Sequence, residues 1–195
     1  MKKLIILSAM VVALLFSQTA MADLVVNGDF QANGPPDYSW TGWTMDSGCY
    51  GVCWYGVNNC AAFSYVPGTF SQTISTAPGT SYTFSFLLGH DSTGGTQDLD
   101  PLPWYPPTQD FQASWNGSPV LSFALPTSNI LPWATYTFTV EATGPSSTIS
   151  FAGQDTGGYY YVDDVSVNPV PAPASMLLFA PGLVGLAGVR RRFKK

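Results

Sequence analysis

Between Asp23 and Val189 the sequence has neither lysine nor arginine. All seven basic residues stand at the ends: Lys2 and Lys3 at one, and Arg190, Arg191, Arg192, Lys194 and Lys195 at the other. All twelve acidic residues lie between them, so that stretch carries twelve negative charges against no positive one. A surface without cations cannot neutralise phosphates, which excludes nucleic acid and anionic lipid as partners. Histidine occurs once, at His90, and the three cysteines are too few to build a four-cysteine zinc site and too many to pair completely. No apolar run reaches the roughly 20 residues of a membrane-spanning helix. Between the terminal segments no stretch shows the 3.6-residue periodicity of an amphipathic helix.

What is present at the N-terminus is a secretory signal: Lys2-Lys3, an apolar helical stretch from Leu4 to Phe16, and the small-x-small pattern Ala20-Met21-Ala22. Cleavage after Ala22 gives a mature chain starting at Asp23 and folding outside the cytoplasm, where disulfides persist. The organisation expected is residues 1–22 signal peptide, 23–168 one folded domain, and 169–195 a tail. The twelve acids mainly keep an exported, aromatic-rich domain soluble, and two or three of them are candidates for a divalent metal.

The dominant period is two. Phe70–Ile74 and Tyr82–Leu88 alternate apolar and hydroxylated residues, with the turn signal Ala77-Pro78-Gly79-Thr80 between them, and read as a hairpin. Phe111–Trp115 and Val120–Phe123 flank Asn116-Gly117, a type I′ turn signal, and Ser118-Pro119 marks the second strand as an edge. Ala134–Glu141, Thr148–Ala152 and Tyr159–Val167 supply further strands. Many short strands with Gly/Pro turns predict an all-β antiparallel sandwich, a jelly roll of eight or so strands. A long irregular insertion runs from His90 to Asp110.

Leu24-Val-Val-Asn-Gly-Asp-Phe-Gln31 followed by Trp40-Thr-Gly-Trp43 resembles the "NGxFE…GW" opening of galactose-binding-like jelly rolls found in carbohydrate-binding modules. Phe70–Ile74, Pro78–Phe84 and Tyr160–Val167 extend the likeness over most of 24–167. The resemblance implies a non-catalytic jelly roll with a structural calcium site. Its ligands here would be Asp29, Gln31, which stands in place of the family's glutamate, and Asp163. Strand parity from Val165 and Val167 places Asp163 inward, where a carboxylate needs hydrogen bonds or a cation.

The tail is similar to the PEP-CTERM sorting signal and its VPxPA variants in exopolysaccharide-producing Gram-negative bacteria. It reads Val170-Pro171-Ala172-Pro173-Ala174, then an apolar run, then Arg190, Arg191 and Arg192, with Ala172 where the commonest form has glutamate. The resemblance implies an exosortase-type protease as partner, transient inner-membrane contact through a C-terminal hydrophobic helix, and delivery to the cell surface or the extracellular matrix of a biofilm. Met176–Val189 as a helix spans about 21 Å, short of the ~30 Å hydrocarbon core, and Pro181 weakens it further. That length disfavours the alternative, a permanent anchor.

Six tryptophans and ten tyrosines raise sugar stacking. Trp104 and Tyr105 in the proline-rich insertion, with Asp98 beside them, are the exposed candidates, and Trp54 in the cysteine loop comes second. Trp40, Trp43 and Trp115 read as packing. Cys49, Cys53 and Cys60 predict one disulfide and one leftover thiol, or an intermolecular bridge, with Cys49–Cys60 and Cys53–Cys60 both open. His90-Asp91-Ser92 has nucleophile and base residue types but no strand-to-helix elbow, so no enzyme is expected. The function expected is a non-catalytic surface protein associated with exopolysaccharide. The alternative is a structural or adhesive protein with no sugar site. Intact mass of the secreted protein is expected to match a chain starting at Asp23 and ending near Pro173; a mass reaching Lys195 would instead mean a retained anchor.

Overall fold

The computed structural model describes residues 22–32, 40–46, 48–50, 59–91, 109–124, 131–156 and 158–171. The expected signal helix and the C-terminal hydrophobic helix lie outside these residues. Among the described residues every regular element is a strand, and no helix is long and apolar enough to cross a membrane.

The strands are β1 (Thr44–Met45), β2 (Cys49–Tyr50), β3 (Ala61–Phe63), β4 (Gly68–Ser75), β5 (Ser81–Asp91), β6 (Gln109–Trp115), β7 (Ser118–Ala124), β8 (Leu131–Glu141), β9 (Ser146–Asp155) and β10 (Tyr159–Pro169). One five-stranded sheet runs β1-β4-β9-β6-β7 and the other β2-β3-β10-β5-β8, with every pairing antiparallel. This is the jelly-roll sandwich the alternation predicts.

The expected hairpin between Phe70–Ile74 and Tyr82–Leu88 does not form. β4 pairs with β1 and β9, whereas β5 pairs with β10 and β8, so Ala77–Thr80 carries the chain from one sheet to the other. That crossing is pinned by Gly79 N–H to Ala142 C=O at 2.7 Å and by Ala77 N–H to the Tyr82 hydroxyl at 2.9 Å. Alternation records one buried face for each strand but not which strand lies beside it. The β6–β7 hairpin does form. Asn116 and Gly117 have φ of 51° and 77°, as a type I′ turn requires, and Pro119 sits on the edge strand beside a bulge at Ala113/Ser114.

The core is aromatic and centres on Phe151 of β9. Its ring stacks on Phe70 at 4.8 Å and meets Phe86 of the opposite sheet edge-on at 5.0 Å. Phe84, Phe111 and Trp43 complete the ring contacts around it. Trp40, Trp43 and Trp115 are all buried, as their packing role predicts.

The N-terminal Asn27-Gly28-Asp29-Phe30 segment locks onto this core without forming a strand. The Asn27 side chain donates to Ala32 C=O and accepts from Ala32 N–H, closing a small loop. Gly28 presses against β10, where a Cβ would stand 1.9 Å from the Val165 carbonyl oxygen, and its own carbonyl accepts Val165 N–H at 2.9 Å. Phe30 plugs between Trp40, Trp43 and Phe70. Each position therefore has its own physical demand: amide closure, absence of a side chain, and an aromatic plug.

Replacing Phe151 by alanine removes the ring shared by both sheets. A loss of about 3–5 kcal/mol in unfolding free energy is expected from urea titration; a loss below about 1 kcal/mol would show that the sheets are held by something else.

Candidate functional site

The outer face of the β1-β4-β9-β6-β7 sheet presents polar and small side chains because every second residue must face water. Across it, Thr69, Ala152, Gln112 and Ser122 stand in one row on β4, β9, β6 and β7, with Gln154, Asp110 and Ala124 in the next. Ala152 at the centre of the first row leaves a dip between longer neighbours. The result is an open groove of about 400 Å³, with Pro67 at its rim. The Gln112 amide donates to Ser114 Oγ at 3.0 Å and the Gln154 amide to Tyr65 C=O at 2.8 Å, which fixes both side chains. Phe111 and Phe123 also line the groove, but Phe111 is buried and the Phe123 ring packs edge-on against Tyr136 at 6.0 Å. Polar groups therefore supply the groove's specific contacts.

The opposite sheet carries a different surface. Trp133 on β8, 43% exposed, lies across Gly89 and stacks on Tyr161, which stacks in turn on Tyr159; the centroid separations are 5.8 and 5.9 Å. Neither the groove nor this aromatic strip is among the residues the sequence singles out. Tyr159 and Tyr161 are visible there as alternate residues of one strand, but Trp133 joins them through strand pairing far apart in sequence.

Trp104, Tyr105, Asp98 and Trp54 lie outside the described residues, as do Cys53, the sorting residues Ala172, Pro173, Arg190, Arg191 and Arg192, and the rest of the terminal segments. Ala22, Val170 and Pro171 are described but belong to no strand. Cys60 is disulfide-bonded and Cys49 is a buried free thiol, so the Cys49–Cys60 pairing is excluded. Burial first, then the Asp46 carboxylate, pushes the Cys49 thiol far up and keeps it protonated.

His90 is paired with a residue far along the chain. Its Nε2 meets Asp155 Oδ2 on β9 at 2.6 Å, and both side chains are fully buried. The Gln109 amide donates to Asp155 Oδ1 at 3.0 Å and the Tyr160 hydroxyl donates to Gln109 C=O at 3.3 Å. This network ties β5 and β10 to β6 and β9 across the sandwich. It is buried and bridges the two sheets.

Asp163 is buried, but not on the face expected. A bulge between Asp163 and Ser166, with Asp164 at φ 47°, shifts the alternation. Val165 and Val167 face the core beyond the bulge as Tyr160 and Val162 do before it, which leaves Asp163 on the outer side. Burial raises its carboxyl to about 6; the Asp164 N–H pulls the value partly back, and the Asp164 and Asp29 carboxylates add to the rise. Asp29 thus lies within electrostatic reach of Asp163. Gln31 N–H donates to Asp29 Oδ1 at 3.3 Å, and the Gln31 amide donates to Asp29 C=O and Asn59 C=O, so its nitrogen is occupied and its oxygen is the atom left for a cation. Among the described residues no three of His, Cys, Asp and Glu gather as a metal site. Carboxylate and amide oxygens of this kind, with no lysine or arginine between Asp23 and Val189, are of the donor type a hard cation takes.

No family model matches the chain, and no curated protein matches it in sequence. In fold it is similar to a family 61 carbohydrate-binding module solved with β-1,4-galactotriose. Identity is 13%, 77% of this chain and 100% of that chain are covered, and the TM-score is 0.50. It is also similar to the K3 cleaved adhesin domain of Lys-gingipain from Porphyromonas gingivalis, at 13% identity, with 75% of this chain and 99% of that chain covered and a TM-score of 0.51. The chain therefore has the antiparallel jelly-roll sandwich of carbohydrate-binding modules.

A carboxyl raised from 3.8 to about 6 prefers its proton in the folded protein. Its stabilising contribution is complete below the unfolded value and is lost as the pH rises through about 6. Asp163→Asn keeps an acceptor for the Asp164 N–H. In metal-free buffer it is expected to raise the thermal midpoint at pH 7, with the gain vanishing below about pH 4; a lower midpoint at pH 7 would contradict this.

Proposed function

We propose that this is an exported, non-catalytic glycan-binding domain, sorted to the cell surface or extracellular matrix of a Gram-negative bacterium by its PEP-CTERM-like tail and associated there with exopolysaccharide. The observation that carries the sugar-binding reading is the open groove of about 400 Å³ on one sheet, floored by side chains from four strands. Strands hold such a floor more rigidly than loops, and its hydroxyl, amide and carboxylate groups match the hydroxyls of a polysaccharide. The tail's processing partner in this reading is an exosortase-type protease, and its membrane contact is transient.

A calcium ion between Asp29 and Asp163, with the Gln31 amide oxygen, would offset the burial, and the smaller carboxylate repulsion, that raise Asp163, and would tie the N-terminal loop to β10. Calcium is then expected to raise the melting midpoint of the wild type but not of Asp163→Asn.

The competing reading, a structural or adhesive surface protein, draws support from how many of the aromatics lie in the core. Affinity electrophoresis through exopolysaccharide separates the two. Ala152→Phe fills the dip and is expected to weaken retardation at least tenfold while its melt stays near that of the wild type. A Trp104→Ala/Tyr105→Ala variant tests the loop independently. Retardation lost only in the loop variant would move the site to the insertion, and no retardation of the wild type would favour the structural reading.

A further inference from the structure

The groove's chemistry is one-sided. Asp110 offers an exposed carboxylate. Gln112 and Gln154 each commit one of their two amide N–H groups inside the protein, so each offers the groove a carbonyl with two lone pairs against a single remaining donor. Thr69 and Ser122 contribute hydroxyls, which accept as readily as they donate. None of the lining residues is a lysine, arginine or histidine, and no lysine or arginine occurs anywhere between Asp23 and Val189.

A neutral sugar is usually held by balanced donors and acceptors together with an aromatic face. Here the balance tips to acceptors, and both lining phenylalanines turn their rings to the interior. The missing donors and the missing positive charge must come from the ligand. An anionic glycan would meet the Asp110 carboxylate in a field made by an uncompensated acidic domain, and would be repelled.

Resting on the glycan-binding reading above, we propose that the groove is selective for a polysaccharide bearing free, protonated amino groups, with the Asp110 carboxylate accepting from the ammonium and the Gln112 and Gln154 carbonyls accepting from neighbouring hydroxyls. It discriminates against the N-acetylated and the uronate forms of similar chains. A lysine-rich peptide would answer the charge but not the floor. Acceptors on adjacent strands stand about 4.8 Å apart in two rows, and a polyhydroxylated chain can meet them all, whereas a lysine side chain brings one ammonium group.

The test uses the full mature protein and calorimetric titration with four probes of matched length: glucosamine oligomer, N-acetylglucosamine oligomer, galacturonate oligomer and oligolysine. The glucosamine oligomer is expected to bind about tenfold more tightly than its N-acetylated counterpart, the scale of one charge-assisted hydrogen bond at a partly exposed site. That preference is expected to shrink as salt rises. Asp110→Asn is expected to abolish it. Glu141→Gln, which removes one exposed charge from the other sheet, is expected to leave it intact.

Equal affinity for the two glucosamine forms would overturn the amine selectivity and leave the glycan reading standing. Equal loss in Asp110→Asn and Glu141→Gln would reduce the effect to diffuse attraction and overturn the groove. Oligolysine binding as tightly as the glucosamine oligomer, with the same dependence on Asp110, would overturn the glycan class. Binding of none of the sugars would overturn both proposals.

Discussion

The contact between Phe151 and the rings around it is the interaction on which the rest of this structure depends. Phe70 and Phe111 meet it from flanking strands of its own sheet, and Phe84 and Phe86 meet it from the other. A sandwich exists only if two sheets bury one face each against the other. Here large flat rings fill that space, and edge-to-face and stacked geometries fix the sheets' separation more closely than aliphatic packing would. Phe30 extends the same cluster to the N-terminal loop. The position of Asp29 beside Asp163 therefore follows from a hydrophobic contact made by its neighbour in sequence.

The absence of cations is the second constraint. Buried acids in most proteins find lysine or arginine, and these cannot. Asp155 is satisfied by His90 and by the Gln109 amide, forming a bridge across the sheets. Asp163 is buried with one backbone N–H to accept and two carboxylates that repel it, and it answers with a raised affinity for its proton, burial being the larger cause. The same chemistry at different depths thus gives a buried hydrogen-bonded pair in one place and a carboxyl that holds its proton more tightly in another. On the surface, the uncompensated charge gives the groove its sign.

Jelly rolls have two outer faces, and this one uses them differently. The face with the groove is polar, small-residued and acceptor-rich. The other carries the strip of Trp133, Tyr161 and Tyr159, in which flat rings lie against the strands. Hydrogen bonds and charge distinguish chemical classes more sharply than stacking does, since every pyranose has an apolar face.

Much of this was legible in the sequence, because strand alternation, the Asn116-Gly117 turn, the buried tryptophans and the Asn27-Gly28-Asp29-Phe30 motif act through residues close along the chain. The missing cations were legible too, since charge needs no fold to be counted. Three things were decided by the tertiary structure alone. β4 and β5 belong to different sheets because alternation specifies a buried face and not a neighbour. Asp163 changed face because a bulge breaks the period of two. The groove arose where Thr69, Asp110, Gln112, Ser122 and Gln154, unremarked along the sequence, were brought together by strand pairing. A sequence reports what each residue prefers next to its neighbours, and a site on a sheet is made across strands, by residues that become neighbours only when the chain folds.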